Sequence, residues 1–244
     1  MKKLLLVLFM IFPFMVGGCS CDSFSLSTYE SAVKNFNNST GFEYELTVTI
    51  RVEGQDYYMR EESRNKYLLD TAGNVYDFSS ELKSYKVLTP DNLPEGAPTL
   101  VYTYNRYYVG ATNKFYENEI EGNVREEKRV YDKSYEEMYS DDNHVYNIKN
   151  LVPTFSKDEL TGFQISDIED QKGYSTSMFT APVPSHIQCS EDVTLYGVTM
   201  NKNFYFHTIE FIVVNNDTTT TYEYRFLNYN SNVNIEFPAN LANY

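Results

Sequence analysis

One short stretch restricts the fold of this chain more than any other. From Phe42 to Glu53, apolar residues Phe42, Tyr44, Leu46, Val48, Ile50 and Val52 alternate with polar residues Glu43, Glu45, Thr47, Thr49, Arg51 and Glu53. Successive side chains of a strand project to opposite faces, so strict period two gives one buried and one wet face. A helix over the same residues would scatter the acids around its circumference. A strand this long needs neighbours on its edges and a cover for its apolar side.

The following sequence supplies neighbours. Gly54-Gln55 predicts a turn, Tyr57–Arg60 and Lys66–Leu69 the next strands, Ala72-Gly73-Asn74 another turn, and Val75–Phe78 a further strand. Pro90 to Pro98 is a Pro/Gly loop. Thr99–Tyr104, Tyr107–Ala111 and Lys114–Ile120 predict three strands, with turns at Asn105-Arg106 and Thr112-Asn113. Near the end, Val193–Asn201, Asn203–Asn215 and Thr218–Leu227 predict strands, with a hairpin turn at Asn215-Asn216-Asp217. A short strand, Val233–Phe237, precedes Pro238.

Helical signals are fewer. Ser27-x-x-Glu30 has the form of a capping box, and Tyr29, Val33 and Phe36 follow at helical spacing. Between Glu121 and Val152 charges become dense and alternation stops. Tyr131, Tyr135 and Met138, then Val145, Ile148 and Leu151-Val152, predict two short helices ending before Pro153. Ser156-x-x-Glu159 predicts a single further turn. Strands are expected again from Phe163, and Ala181-Pro182-Val183-Pro184 is a stiff loop. The pattern as a whole is a β-rich α+β chain built on an antiparallel sheet.

The first residues read as an address. Lys2 and Lys3 precede an apolar run from Leu4 to Val16, shorter than the roughly 20 residues needed to span a bilayer. Val16-Gly17-Gly18-Cys19 then resembles a bacterial lipobox. That resemblance implies a lipoprotein signal peptide over residues 1–18, with a diacylglycerol on Cys19, which becomes the first residue of the mature chain. Two or more acyl chains anchor stably where one does not. Residues 19–27 read as a tether linker and 28–244 as one domain. The whole chain carries 34 acidic and 20 basic residues, a net charge of −14, and losing Lys2 and Lys3 with the leader makes it −16. Anionic head groups repel such a body. The same acidity excludes a general nucleic-acid binder, which needs clustered Lys and Arg. Of the three cysteines, Cys21 and Cys189 remain, as a disulfide or as two free thiols.

Taken together, the lipobox, the helix and long alternating strand, the central helical insert, and the run Thr208-Ile209-Glu210-Phe211 to Tyr229-Asn230 followed by Val233–Pro238 resemble the LolA/LppX-type lipoproteins. The resemblance implies a strongly curved antiparallel sheet, an unclosed barrel, with a few short helices on its concave face. It also implies carriage of an apolar or acylated ligand between sheet and helices, at the extracytoplasmic face of the bacterial cell membrane.

The candidate lining is aromatic and aliphatic: Tyr44, Leu46, Val48, Ile50, Tyr102, Tyr104, Ile209, Phe211, Tyr222, Tyr224 and Phe226. These residues either form an ordinary packed core or leave a slot for a ligand. Tyr suits the second reading because its body is apolar and its tip polar. The alternative function is a surface lipoprotein with a filled core that binds a protein or a wall polymer and carries no ligand.

No reaction is legible. Gly-x-Ser-x-Gly, Walker and dinucleotide patterns are missing from the sequence, and no cofactor or enzyme activity is expected. His186-x-x-Cys189 has metal-ligand spacing, but two ligands do not make a site. Asp167, Glu169 and Asp170 break the EF-hand pattern, Asp141-Asp142 reads as a solvated turn, and His144 and His207 stand alone.

Overall fold

A computed structural model describes residues 26–89, 95–122, 124–140, 164–165, 175–179, 193–201, 203–241 and 244. Helix α1 spans Leu26–Asn37. Six strands follow: β1 Gly41–Val52, β2 Tyr57–Leu69, β3 Val75–Leu88, β4 Thr99–Val109, β5 Lys114–Glu121 and β6 Arg125–Tyr131. Helix α2 is Tyr135–Met138. Strands β7 Gln164–Ile165, β8 Ser175–Phe179, β9 Val193–Met200, β10 Phe206–Asn215 and β11 Thr218–Tyr229 complete the set, with a 3-10 turn at Asn230–Asn232.

Among the described residues, eleven strands form one antiparallel sheet in the order β6-β5-β4-β3-β2-β1-β11-β10-β9-β8-β7. It is not closed: β6 and β7 are the outer strands. The strand with the cleanest alternation, β1, lies at the middle. The sheet is therefore two meanders, β1 to β6 and β7 to β11, joined along the β1–β11 seam. Leu46 faces Ser63 on one side and Tyr224 on the other.

The two helices sit on the concave face. Tyr29, Ala32 and Phe36 of α1 are buried at helical spacing. The Phe36 ring lies 4.8 Å from Phe42, 5.9 Å from Phe226 and 6.3 Å from Phe206, so α1 covers the seam. Four residues make a poor helix alone, and α2 is held by its caps and rings. Ser134 Oγ accepts from Glu137 N–H at 3.2 Å, and Glu137 Oε2 accepts from Ser134 N–H at 2.7 Å, a reciprocal capping box. Tyr135 and Tyr139 then pack on Phe78 at 5.4 and 6.2 Å, and Tyr139 on Phe115 at 5.6 Å.

After the 3-10 turn the chain folds back over the convex face as a strap. Val233 is buried, Lys66 Nζ donates to the Asn234 carbonyl at 3.0 Å, Phe237 meets Tyr107 at 6.4 Å, and Tyr244 meets Tyr116 at 6.0 Å. Val233–Phe237 was expected to be a strand, and it is not one: it crosses the strands instead of pairing with them.

Other expectations also need correction. Tyr57–Arg60 and Lys66–Leu69 are one strand, β2, because the backbone ladder to β1 and β3 continues through the polar middle. Asn105-Arg106 is no turn. Both residues lie inside β4, and Arg106 points inward and is buried. The charged stretch Arg125–Tyr131 pairs with β5 as a strand, so Tyr131 is not helical. Helix α1 begins at Leu26, which places Ser27 in its first turn and not ahead of it. Strand β10 starts at Phe206 and not Asn203, since Asn201 Oδ1 binds the N–H groups of Asn203 and Tyr205 in a turn. The predicted helix at Val145–Val152, the Ser156 turn and the Ala181–Pro184 loop lie outside the described residues.

Candidate functional site on the concave face

Strand register places the eleven candidate lining residues on one face. Tyr44, Leu46 and Val48 of β1 stand beside Phe226, Tyr224 and Tyr222 of β11, and Ile209 and Phe211 of β10 pair with Tyr224 and Tyr222. Tyr44, Leu46, Val48, Ile209, Phe211, Tyr224 and Phe226 are all buried in one cluster. Phe211 stacks on Tyr222 at 4.8 Å and on Tyr224 at 6.0 Å. Ile50, Tyr102, Tyr104 and Tyr222 pack against the cluster but are only half-buried. The aromatic lining is thus closed where the helices cover it and less so toward the Ile50 end.

Tyr102 and Tyr104 do not join the others directly. Following the register from Val48 across the sheet meets Glu61, Ser84 and only then Tyr102. From Tyr44 the same path meets Asn65, Ser80, Arg106 and Glu117. The concave face therefore has two chemistries. It is apolar on β1, β10 and β11, and polar on β2 to β5 below a row of rings made by Tyr67, Phe78, Tyr108 and Phe115.

Arg106 is the centre of the polar part, 4% exposed. Its Nη1 donates to Tyr139 Oη at 3.1 Å and its Nη2 to Ser80 Oγ at 3.5 Å, and its guanidinium lies 5.0 Å from the Tyr104 ring. These contacts offset part of the cost of burying the charge. Burial, then the neighbouring Glu117 carboxylate, pushes the Tyr104 phenol well above its ordinary pKa. Burial does the same to Tyr67 and Tyr135, whose hydroxyls meet at 3.2 Å. All three stay protonated at neutral pH. Tyr102 Oη donates to Glu61 Oε1 at 2.9 Å. Asn65 Oδ1 and Ser84 Oγ are buried and have no hydrogen-bond partner among the described residues.

The polar half was not foreseen. A signal was present: Tyr102, Tyr104, Arg106 and Tyr108 share one parity, so period two carries Arg106 onto the inner face. In β2 both faces of the central residues are polar, and alternation has nothing to register. Cys19, His144, Asp141, Asp167, His186 and Cys189 lie outside the described residues. His207 is half-buried on β10. Among the described residues no group of three or more His, Cys, Asp or Glu could hold a metal ion.

No family model and no curated protein matches the chain. It is similar to the crystal structure of LprF from Mycobacterium bovis, at 11% identity and a TM-score of 0.47, with 89% of this chain and 99% of that one covered. It is similar also to a domain from Vibrio parahaemolyticus assigned to the outer membrane lipoprotein-sorting proteins, at 10% identity and a TM-score of 0.25, covering 88% and 96%. A third likeness is to a DUF1329 family protein from Desulfovibrio piger, at 9% identity and a TM-score of 0.24, covering 88% and 95%. Likenesses this loose carry no argument about ligand or place. The open antiparallel sheet with helices on its concave face is seen directly in the strand order and packing.

Proposed function

We propose that this protein is an acyl-anchored lipoprotein of the bacterial envelope that holds an amphiphilic, lipid-like ligand on the concave face of its sheet. The observation that carries the reading is the division of that face. An apolar area on β1, β10 and β11 adjoins a polar area on β2 to β5. A ligand with both an acyl part and a polar part matches such a surface better than a pure hydrocarbon does.

The acyl part would lie against the half-buried Ile50 and Tyr222, each Å² buried contributing roughly 25 cal/mol. The head group would meet Tyr102, Glu61 and the buried Ser84 hydroxyl, whose lack of a partner among the described residues leaves a hydrogen bond to be made. The Cys19 acyl group would keep the body at the extracytoplasmic face of the membrane, and its acidity would hold it off the lipid surface. The work assigned to this face is binding, not catalysis.

The test is native mass spectrometry of the Cys19→Ser chain expressed in bacteria. Lipid is expected to co-purify and, when added back, to raise the melting temperature. Absence of both effects would sink the carrier reading. The anchor has a separate readout: Cys19→Ser should move the protein from the membrane fraction to the soluble one.

A further inference from the structure

The convex face carries a second cleft that the lipid-like ligand does not use. The strap after β11 bridges β2 and β4 through Lys66 and Phe237, and beneath it lies a space of about 500 Å³. That falls within the roughly 300–1,000 Å³ of small-molecule sites. Its walls include Arg64, Lys66, Glu81, Tyr107, Asn234 and Glu236.

Charge decides what could enter. Glu43, at the floor, has a side chain only 4% exposed, although alternation placed it on the wet face of β1. One of its oxygens accepts from Arg64 Nε and Nη2, both at 2.7 Å, and the other from Asn228 Nδ2 at 2.6 Å. Lys66 Nζ lies 3.9 Å from the same carboxylate and is held to the Asn234 carbonyl. Both cations of the cleft thus face Glu43, and with Glu81 and Glu236 also in the walls the cleft has no excess of positive charge to draw an anion. The remaining carboxylates, Glu81 and Glu236, sit beside those cations, and Glu81 is also paired with Lys83 at 2.7 Å. A free cation finds no unshared acid pair, and the mostly polar walls give an apolar ligand little area beyond the Tyr107 ring.

What remains suits hydroxyl groups. Carboxylate oxygens accept from them; the Asn234 amide gives one N–H to Glu236 Oε1 at 3.2 Å and keeps its second N–H and its carbonyl, and the Ser79 hydroxyl can both give and accept. Burial, then the neighbouring Tyr244 and Glu81, pushes the Tyr107 phenol up to about 12, so it remains a donor. Its ring, braced edge-on by Phe237, offers a flat apolar patch of the kind that covers a sugar face. We propose that this cleft binds a neutral saccharide, with Glu81, Glu236 and Asn234 on its hydroxyls and Tyr107 against its ring. A single tyrosine platform predicts weak affinity.

The experiment is an NMR titration of the full chain with a tetramer of β-1,4-linked N-acetylglucosamine, with inorganic phosphate as the anionic control. The saccharide is expected to shift the resonances of Ser79, Glu81 and Asn234, and phosphate to leave them in place. Glu236→Ala, an exposed strap position, and Tyr107→Ala should each weaken binding by about tenfold. Glu81→Gln serves as a further variant if Tyr107→Ala does not fold. The proposal is overturned if the saccharide shifts nothing, if its shifts fall on Phe211 and Tyr222 of the concave face, if phosphate competes, or if the folded variants bind as tightly as the parent.

Discussion

The two halves of the concave face share a backbone and differ in everything attached to it. On β1, β10 and β11 the inward positions are Leu46, Val48, Ile209, Phe211 and Tyr224, and burial of area holds them. On β2 to β5 they include Ser63, Asn65, Ser80, Arg106 and Glu117, all buried as well. There the interior depends on hydrogen bonds being made, because an unmet buried group costs about 1–3 kcal/mol. The apolar half packs as a core except at its half-buried end, Ile50 and Tyr222. The polar half holds Asn65 Oδ1 and Ser84 Oγ, which have no hydrogen-bond partner among the described residues.

The sharpest way to break this contrast is truncation in the apolar half. Phe211→Ala removes a ring only 1% exposed and stacked on two tyrosines, and should cost about 3–5 kcal/mol in a denaturant melt. A loss below 1 kcal/mol would show that this half is not packed as a core. Arg106→Met tests the polar half. Losing its bonds to Tyr139 and Ser80 should cost about 2 kcal/mol, the range for bonds made by a charged donor. An unchanged midpoint would mean that Arg106 does not hold α2 to the sheet.

Tyr222→Ala separates stability from binding. The ring is half-buried, so the melt should fall by only about 1 kcal/mol while co-purifying lipid is lost. Retention of lipid would move the ligand away from this end of the face. The smallest effect lies on the convex side, where Glu210 faces Glu223 across β10 and β11. Burial and this like charge raise the Glu210 pKa, so the folded state takes up a proton more readily than the unfolded one. The penalty is present above the folded pKa and relieved as pH falls through it. Glu210→Gln should therefore gain about 0.5 kcal/mol at neutral pH, screened by solvent, and the gain should fade as pH drops into the ordinary carboxylate range.

Much of this was legible in advance. Strand β1, the β10–β11 hairpin and the stripe of α1 follow from periodicity, because each has one apolar face and one polar face. Patterning divides β2 into two strands and reads Tyr131, the end of β6, as helical, because neither strand shows such contrast. A strand whose inner face is also polar hides its period. Arg106 was passed over for the same reason: an arginine amid tyrosines looks like a turn until its neighbours on β3 and β5 are known. The Val233–Phe237 strap has strand-like residues, yet no free sheet edge lies within its reach at the seam, where β1 and β11 already pair.

The sequence by itself determined that an amphipathic antiparallel sheet forms and that a short helix must cover it, since local periodicity alone decides which side of each strand avoids water. It also determined the acidic balance and the lipobox-like leader. Only the tertiary structure decided which strands meet. Pairing of β1 with β11 joins residues far apart in the chain, and it is this seam that puts the apolar and polar halves on one surface. Whether a polar side chain is solvated or buried depends on partners brought by other strands. Alternation gives the face of Arg106 and of Glu43, but not that either is buried.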